Sequence, residues 1–112
     1  MNVSYEGVGY LAATFPAGNC VAGQLCKLDV LGLSEKCNDG DAFCGFVEAV
    51  ENQRAAVQIE GFVEVPYTGT APTRGYVKLS SDGKGGVKVD SNGKEYLVAE
   101  LDTDNSTITI KL

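Results

Sequence analysis

Short runs of alternating apolar and polar residues, separated by Gly, Asn, Asp and Pro, recur along the chain. The alternation is clearest at residues 107–112, where Ile108, Ile110 and Leu112 share one face and polar side chains occupy the other. No Gly-free window keeps the i, i+3, i+4, i+7 spacing of an amphipathic helix. Turn signals at intervals of roughly 8–12 residues are typical of small β structures. The pattern predicts an all-β fold: a small single-domain β-barrel or sandwich of short antiparallel strands.

Nine strands are predicted, at residues 10–15, 24–30, 33–37, 43–51, 55–65, 76–79, 87–89, 95–102 and 107–112. Residues 42–54 come closest to helical spacing, but Gly45 and the alternation around it favour a strand. Tight turns are expected at 52–53, 81–86 and 104–105. Gly61 interrupts the alternation, which indicates a bulge or a close backbone approach. Asn92-Gly93 predicts a β-hairpin, because both residues tolerate positive φ.

The stretch from Pro66 to Gly75 could be a linker, a binding loop or a long turn. Only 37 residues follow Gly75, and pieces shorter than about 40 residues rarely fold alone. We therefore interpret it as a loop within one domain, with Pro66 ending the preceding strand because it has no N–H for the ladder. Residues 10–112 are predicted to form a single β domain. Residues 1–9 have no clear place in a barrel and are predicted to be an N-terminal arm that orders on a neighbour.

Charge and hydropathy exclude several partners. The 112 residues carry a net charge of −6, and the nine Lys and Arg residues are scattered singly. Nucleic acid and anionic membrane surfaces both require clustered positive charge, so neither is an expected partner. No apolar run approaches the roughly 20 residues of a membrane helix. The first residues lack the features of a secretory signal, and we expect synthesis in a reducing cytoplasm.

Four cysteines raise the question of metal or disulfide chemistry: Cys20, Cys26, Cys37 and Cys44. Their spacings are wider than the C-x-x-C pairs of structural zinc sites, and the chain has no His. Disulfides are disfavoured in a reducing compartment. The favoured interpretation is four small, mostly buried side chains, although Cys26 and Cys37 flank a possible hairpin and could face each other.

Enzymatic motifs are missing from the sequence. Without His the commonest general base is absent, and there is no G-x-S-x-G elbow, P-loop or dinucleotide fingerprint. Two groups of oxygen-bearing side chains are candidates for chemistry. Glu48, Glu51, Glu60 and Glu64 are candidate glycosidase carboxylates. Asp102, Asp104 and Asn105 are candidate Ca²⁺ ligands. A solvated sheet face and an Asx turn explain them better. We predict no enzymatic activity and no catalytic, cofactor-binding or metal-binding residues. The five tyrosines are spread along the chain and do not indicate a particular ligand.

The order of turn glycines and apolar runs resembles the capsid cement, or head decoration, proteins of tailed phages and prophages. The resemblance covers residues 12–112, and it is carried by the runs FPAG (15–18), VAGQL (21–25), CGFV (44–47), AVQIEGFVEVP (56–66), GYVKL (75–79), GV (86–87) and TITIKL (107–112). It implies an all-β protein without catalytic residues that binds the outside of an assembled shell, often as a trimer. The implied partners are the major capsid protein and further copies of this chain, and the implied location is the virion surface after synthesis in the bacterial cytoplasm. The cysteines lie outside the shared pattern.

Two other functions remain open at this point. A small carbohydrate- or surface-binding β module would display coplanar aromatic side chains, and the absence of Trp counts against it. A small enzyme using paired carboxylates has no cluster that positively supports it. A stable trimer would favour the decoration protein, whereas a monomer with an aromatic-lined groove would favour the binding module.

Overall fold

The computed structural model describes residues 10–112, which form ten β-strands in two sheets and contain no helix. The all-β prediction is confirmed. The strands are β1 (Leu11–Pro16), β2 (Leu25–Leu28), β3 (Ser34–Lys36), β4 (Gly45–Glu51), β5 (Arg54–Glu60), β6 (Phe62–Thr68), β7 (Gly75–Ser81), β8 (Val87–Val89), β9 (Lys94–Asp102) and β10 (Thr107–Lys111). The predicted N-terminal arm, residues 1–9, lies outside the described residues.

Strands β1–β5 form an open antiparallel sheet in the order β1-β5-β4-β2-β3. The sheet curls until its two edges touch at one point, where Ala17 bridges Ser34 and the Gly18 N–H donates to the Ser34 carbonyl over 2.9 Å. A small apolar core lies on this sheet and consists of Cys26, Val47, Ala55 and Val57. We call this half of the molecule the open sheet.

Strands β6–β10 form a closed barrel in the order β10-β6-β8-β7-β9. The β6–β8 pair is parallel and the other barrel pairs are antiparallel, so the prediction of antiparallel strands is wrong for that one pair. The alternation predicted for the last strand is confirmed at Ile108 and Ile110, which are buried. The barrel contributes nine buried side chains to the larger core: Val63, Val65, Tyr67, Leu79, Val87, Tyr96, Val98, Ile108 and Ile110.

Residues 37–44, which we call the connector, link β3 to β4 of the open sheet and pack against the barrel. Phe43 stacks on Tyr96 of the barrel with ring centroids 4.7 Å apart, and Cys37 belongs to the same core. The backbone of the connector pairs with β7, since the Gly40 N–H donates to the Ser81 carbonyl over 2.8 Å. The larger core is therefore built from residues of both halves.

Gly61 is a corner rather than the bulge expected from the sequence. The predicted strand at 55–65 is two strands, because β5 ends at Glu60 in the open sheet and β6 begins at Phe62 in the barrel. Gly61 has a φ of 102°, a conformation that favours glycine. Its carbonyl accepts a hydrogen bond from the Leu112 N–H at 2.9 Å, which ties the corner to the end of β10.

Pro66 does not end its strand, contrary to the prediction. β6 continues to Thr68, with Pro66 opposite Thr107 of β10. The next residue, Tyr67, donates its N–H to the Ser106 carbonyl at 3.0 Å. That bond makes the Pro66–Thr107 pair a non-hydrogen-bonded one, so the missing N–H removes no bond from the ladder with β10.

The prediction of a β-hairpin at Asn92-Gly93 is also wrong. The strands it connects do not pair, because β8 lies between β7 and β6 whereas β9 lies between β7 and β10. Neither residue has positive φ. The turn is organised by Asp90, which accepts hydrogen bonds from the N–H groups of Asn92 and Gly93. Gly93 serves close packing, since a Cβ there would lie 2.4 Å from the Leu79 carbonyl oxygen.

Two other turns are where the sequence places them. Asn52 and Gln53 have φ of 52° and 63° and connect β4 to β5 through the Glu51–Arg54 pair. Two consecutive positive φ values match the right-handed twist of the flanking strands. The turn around Asn105 links β9 to β10. The segment between β6 and β7, residues 69–74, is a loop within the barrel.

Candidate interaction surface

Exposed large apolar side chains are concentrated in the open sheet and its loops. Within residues 10–112 there are nine, of which seven precede residue 61 and two belong to the barrel half: Tyr10, Leu11, Val21, Leu28, Val30, Leu31 and Val50, against Tyr76 and Val89. Scattered exposed apolar residues are normal, but an uneven distribution marks one region as a candidate interaction surface.

The turn between β2 and β3 holds two of these side chains in a fixed position. Val30 is fully exposed and Leu31 is 80% exposed. The Asp29 carboxylate accepts hydrogen bonds from the N–H groups of Leu31 and Leu33, and its carbonyl accepts one from Gly32. Gly32 takes a φ of 81° to close the turn. We call Val30 and Leu31 the aliphatic tip; the hydrogen bonds to Asp29 hold the turn below it.

The two edges of the open sheet differ in how they are protected. β3 has only three residues, two of them charged, and short charged edges resist further strand pairing. β1 has six residues, LAATFP, and none is charged. The bridge to Ser34 covers the chain only at Ala17. Within residues 10–112, the outer edge of β1 from Leu11 to Thr14 has no strand partner and is open to pairing.

Tyr10 extends this edge and contacts β4 across the intervening strand. Its hydroxyl donates a hydrogen bond to the Glu48 carboxylate. That hydrogen bond, with smaller effects from burial and from the negative charge, raises the pKa of Tyr10. Glu48 lies where the β4–β5 register shifts, between Val47 and Ala49. The ring of Tyr10 remains exposed, so the contact positions an aromatic side chain at the edge without burying it.

The four glutamates that are candidates for a glycosidase site do not come together in the structure. Glu51 lies opposite Arg54 at the β4–β5 turn, and Glu60 lies opposite Leu11. Glu64 belongs to the barrel, where it faces Thr109. The corner at Gly61 therefore separates the two residues that the sequence places four apart. No group of three or more His, Cys, Asp or Glu within residues 10–112 is arranged to hold a metal ion.

The Asp102 segment is an Asx turn, as the sequence favours. Asp102 accepts hydrogen bonds from the N–H groups of Asp104 and Asn105 and from the Asn105 side-chain amide. The bonds from Asn105 hold the pKa of Asp102 below its usual value. Its carboxylate oxygens are thus committed to the turn.

The described tyrosines divide between core and surface, as their spread along the chain suggests. Tyr67 and Tyr96 are buried in the barrel, and the Tyr96 hydroxyl donates to the Phe43 carbonyl at 3.4 Å. Tyr76 is 71% exposed beside an open depression of about 280 Å³ whose lining includes Lys94 and Lys111. Tyr5 lies outside the described residues. No pair of exposed tyrosines on one strand forms a flat platform within residues 10–112.

A second, more polar depression of about 480 Å³ lies beside β3 and the connector. Its polar groups are already bonded within the protein: Lys27 to Asp41 at 2.6 Å, and the Asn19 side-chain oxygen to the Lys36 N–H at 2.8 Å. The hydrogen bond from Lys27 lowers the pKa of Asp41. These contacts stabilise the connector and leave little unpaired polarity for a ligand.

All four cysteines are free thiols, and they are less uniformly buried than predicted. Cys26 and Cys37 are buried, Cys20 is half-buried and Cys44 is exposed. Cys26 lies opposite Lys36 rather than Cys37, and the cysteine that neighbours it across the strands is Cys44, whose N–H donates to the Cys26 carbonyl. Sequence spacing could not identify this pair, because it depends on how β2 and β4 align.

Comparison with models of known protein families, with curated proteins and with solved structures found no match for this chain. In the part of the chain that the structure describes, no helix has the length and apolar character needed to cross a membrane.

Proposed function

We propose that this chain is a capsid decoration protein of a tailed phage or prophage. In this proposal it binds as a homotrimer to the outside of a shell built from the major capsid protein and stabilises that shell. The observation that carries the proposal is the uneven surface: of the nine exposed large apolar side chains within residues 10–112, seven belong to the open sheet and its loops. Surfaces of this kind suit adhesion to another protein.

The open β1 edge supports self-association. A strand edge presents unpaired N–H and C=O groups that another chain can complete. Closed symmetric assemblies cover such edges without forming fibres. Three copies that each pair or cover β1 would bury Leu11 and the exposed face beside it, and would leave the aliphatic tips available to the shell.

The aliphatic tip supports the contact with the shell. Small apolar anchors held on a rigid turn lose little conformational freedom on binding, which favours affinity. The major capsid protein would provide an apolar recess for Val30 and Leu31. The net charge of −6 keeps the free protein soluble despite this exposed apolar surface.

The direct test combines mass measurement with shell binding. Light scattering on the purified chain is expected to give three times the monomer mass of 11.8 kDa. Where a major capsid protein is encoded beside this gene, empty shells of that protein should retain the wild type on co-sedimentation. The double substitution Val30→Ser, Leu31→Ser should lower retention at least tenfold, whereas Val89→Ser on the barrel should not. Retention that is absent in the wild type, or equal in all three proteins, would refute the proposal.

The predicted arm is tested separately. Deleting residues 1–9 is expected to weaken trimer formation or shell binding, because this segment leads directly into the open β1 edge. Unchanged oligomer mass and unchanged shell retention in the deletion variant would show that the segment has no such role.

A carbohydrate- or surface-binding module is the second candidate, and the exposed Tyr76 favours it. Its ring borders the depression that contains Lys94 and Lys111, and sugars commonly stack on exposed aromatic rings. This function predicts a monomer that binds immobilised glycans and loses binding on Tyr76→Ala. A trimer that does not bind glycans, and whose behaviour is unchanged by Tyr76→Ala, would exclude this second function.

A further inference from the structure

Cys26 and Cys44 are brought together at the shortest strand pairing of the open sheet. β2 and β4 align over only two residue pairs, one of which places Cys26 opposite Gly45. The Cys44 N–H also donates to the Cys26 carbonyl, over 2.9 Å. Two successive residues thus oppose Cys26, as in a β-bulge, an arrangement that redirects side chains. The two cysteines are therefore neighbours across the β2–β4 pairing.

The two thiols have opposite surroundings. Cys44 is exposed, while none of Cys26 is accessible. The hydrogen bond from the Cys26 thiol lowers the pKa of Cys44, and the same contact together with burial raises the pKa of Cys26. The thiolate is therefore favoured at the exposed residue, with a second cysteine beside it across the strand pairing. Redox-reactive cysteines have this combination of exposure, thiolate character and a neighbouring thiol.

The other two cysteines lack this arrangement. Burial raises the pKa of Cys37 to about 11, and its side chain belongs to the barrel core. Cys20 packs on the small core of the open sheet. Both serve as internal references for reactivity.

We propose that Cys44 is a thiol-modification site for small-molecule disulfides, and that Cys26 resolves the adduct into an intramolecular disulfide between β2 and the start of β4. This inference rests on the strand pairing and on the exposure of the two residues, and it holds whether or not the protein decorates a capsid.

The reaction proceeds by two thiol–disulfide exchanges. The Cys44 thiolate attacks one sulfur of the small disulfide, whose S–S bond breaks and whose other half leaves as a thiolate. Cys26 then loses its proton to water and attacks the Cys44 sulfur, displacing the second small thiolate. Two protein thiols lose two electrons and two protons, and the small disulfide gains them to become two thiols. Capping Cys44 removes the hydrogen bond that most raises the pKa of Cys26, which makes the second step easier than the starting state suggests.

The disulfide would join two strands that otherwise share little backbone pairing. Cys26 and Cys44 are 18 residues apart in sequence, and the bond would fix the β2–β3 hairpin, including the aliphatic tip, to β4. Closing a loop of this size is expected to raise the midpoint of thermal unfolding by roughly 10 °C.

The experiment uses the intact chain and oxidised glutathione as the probe. After incubation under native conditions, the remaining thiols are alkylated in denaturant and the protein is cut with chymotrypsin. Cleavage after Leu25 and after Phe43 separates Cys20 from Cys26 and Cys37 from Cys44. Mass spectrometry is expected to find a Cys26–Cys44 disulfide, preceded in time by one glutathione on Cys44. The oxidised protein should show the raised thermal midpoint, and dithiothreitol should reverse it.

Two variants separate the roles of the two thiols. Cys26→Ser should stop the reaction at the glutathione adduct on Cys44, whereas Cys44→Ser should leave Cys26 unmodified. Cys20→Ser is the matched control and should behave as the wild type. A disulfide that involves Cys20 or Cys37 would overturn the proposal. So would Cys44 alkylation in the wild-type protein that is no faster than that of Cys20 across pH 6–9, a readout that needs no variant to fold.

Discussion

The open sheet and the closed barrel are each built from five strands, yet they present different surfaces. The barrel pairs every strand on both sides, leaving two exposed large apolar residues, Tyr76 and Val89. Within residues 10–112, the open sheet leaves most of the outer edge of β1 without a partner and carries seven such residues with its loops. It also contains the exposed cysteine. Closing a sheet removes its edges. The barrel therefore has no free strand edge, whereas the open sheet carries the free edge, most of the exposed apolar residues and the exposed cysteine.

The connector holds the two halves together by packing against the barrel. Leu25, Cys37 and Phe43 precede β6, yet they belong to the barrel core. The ion pair between Lys88 of the barrel and Asp39 of the connector, at 2.9 Å, adds a polar contact at the same junction. The barrel interior is completed by residues from the other half, which makes the folding of the two halves interdependent.

The largest expected effect comes from breaking this junction with Phe43→Ala. Phe43 is buried and stacks on Tyr96, and removing a buried Phe costs about 3–5 kcal/mol of the free energy of unfolding. Urea denaturation would measure the loss, and hydrogen exchange should show the strands β1–β5 losing more protection than the barrel. Val89→Ala is the control. A loss below about 1 kcal/mol would mean that the halves are stable without each other.

The next effect compares two crowded glycines, one in each half. A Cβ at Gly86 would lie 2.2 Å from the Pro66 carbonyl oxygen, and one at Gly45 would lie 2.5 Å from the Gln58 carbonyl oxygen. Overpacking of this kind costs about 1–3 kcal/mol. Because an open sheet can spread and a closed barrel cannot, Gly86→Ala should lower the free energy of unfolding more than Gly45→Ala. Equal losses in urea titrations would contradict this distinction between the halves.

Acid should weaken the turns and the connector together. Hydrogen bonds lower the pKa values of Asp41, Asp90 and Asp102 in the folded protein. A lowered folded pKa contributes stability above the unfolded value near 3.9, and this contribution is lost as pH falls through the folded pKa. The thermal midpoint should therefore fall between about pH 5 and pH 2, by less than in either packing variant. Asp41→Asn should flatten part of that dependence, and a midpoint that rises on acidification would exclude the assignment.

The smallest effect on stability is expected at the aliphatic tip. Substitution of an exposed residue usually changes the free energy of unfolding by no more than about 0.5 kcal/mol. The doubly substituted Val30→Ser, Leu31→Ser protein should therefore unfold like the wild type in urea. A loss greater than about 1 kcal/mol would show that the tip packs within the chain rather than serving an outside contact.

Local signals in the sequence predicted most of the strands but not which strands pair. The Asn52-Gln53 turn was predictable, because a two-residue turn joins neighbouring strands by its own geometry. Asn92-Gly93 carried a stronger signal and was misleading, because the neighbours of β8 are fixed by the closure of the barrel. At Gly61 the change of direction was visible, but the change of sheet was not, since it depends on pairing with β10 about 50 residues later.

The candidate surface follows the same division. The exposure of Val30 could not be read from the sequence, which places it at the end of the strand predicted at 24–30, whereas Leu31 beside Gly32 falls at the turn of a possible hairpin. The Cys26–Cys44 contact required the alignment of β2 with β4. The dispersal of Glu60 and Glu64 required the corner between the halves. Each of these depends on pairings between distant segments, which local periodicity does not predict.

The position of β10 in the barrel has a consequence during synthesis. β10 closes the barrel by pairing with both β6 and β9, and of the ten described strands it is the last to be synthesised. Until then β6 lacks one neighbour, while the open sheet and its uncovered edge have already emerged. A released chain truncated before Thr107 should thus aggregate readily and be sensitive to proteases, and restoring the five residues of β10 should make it resistant.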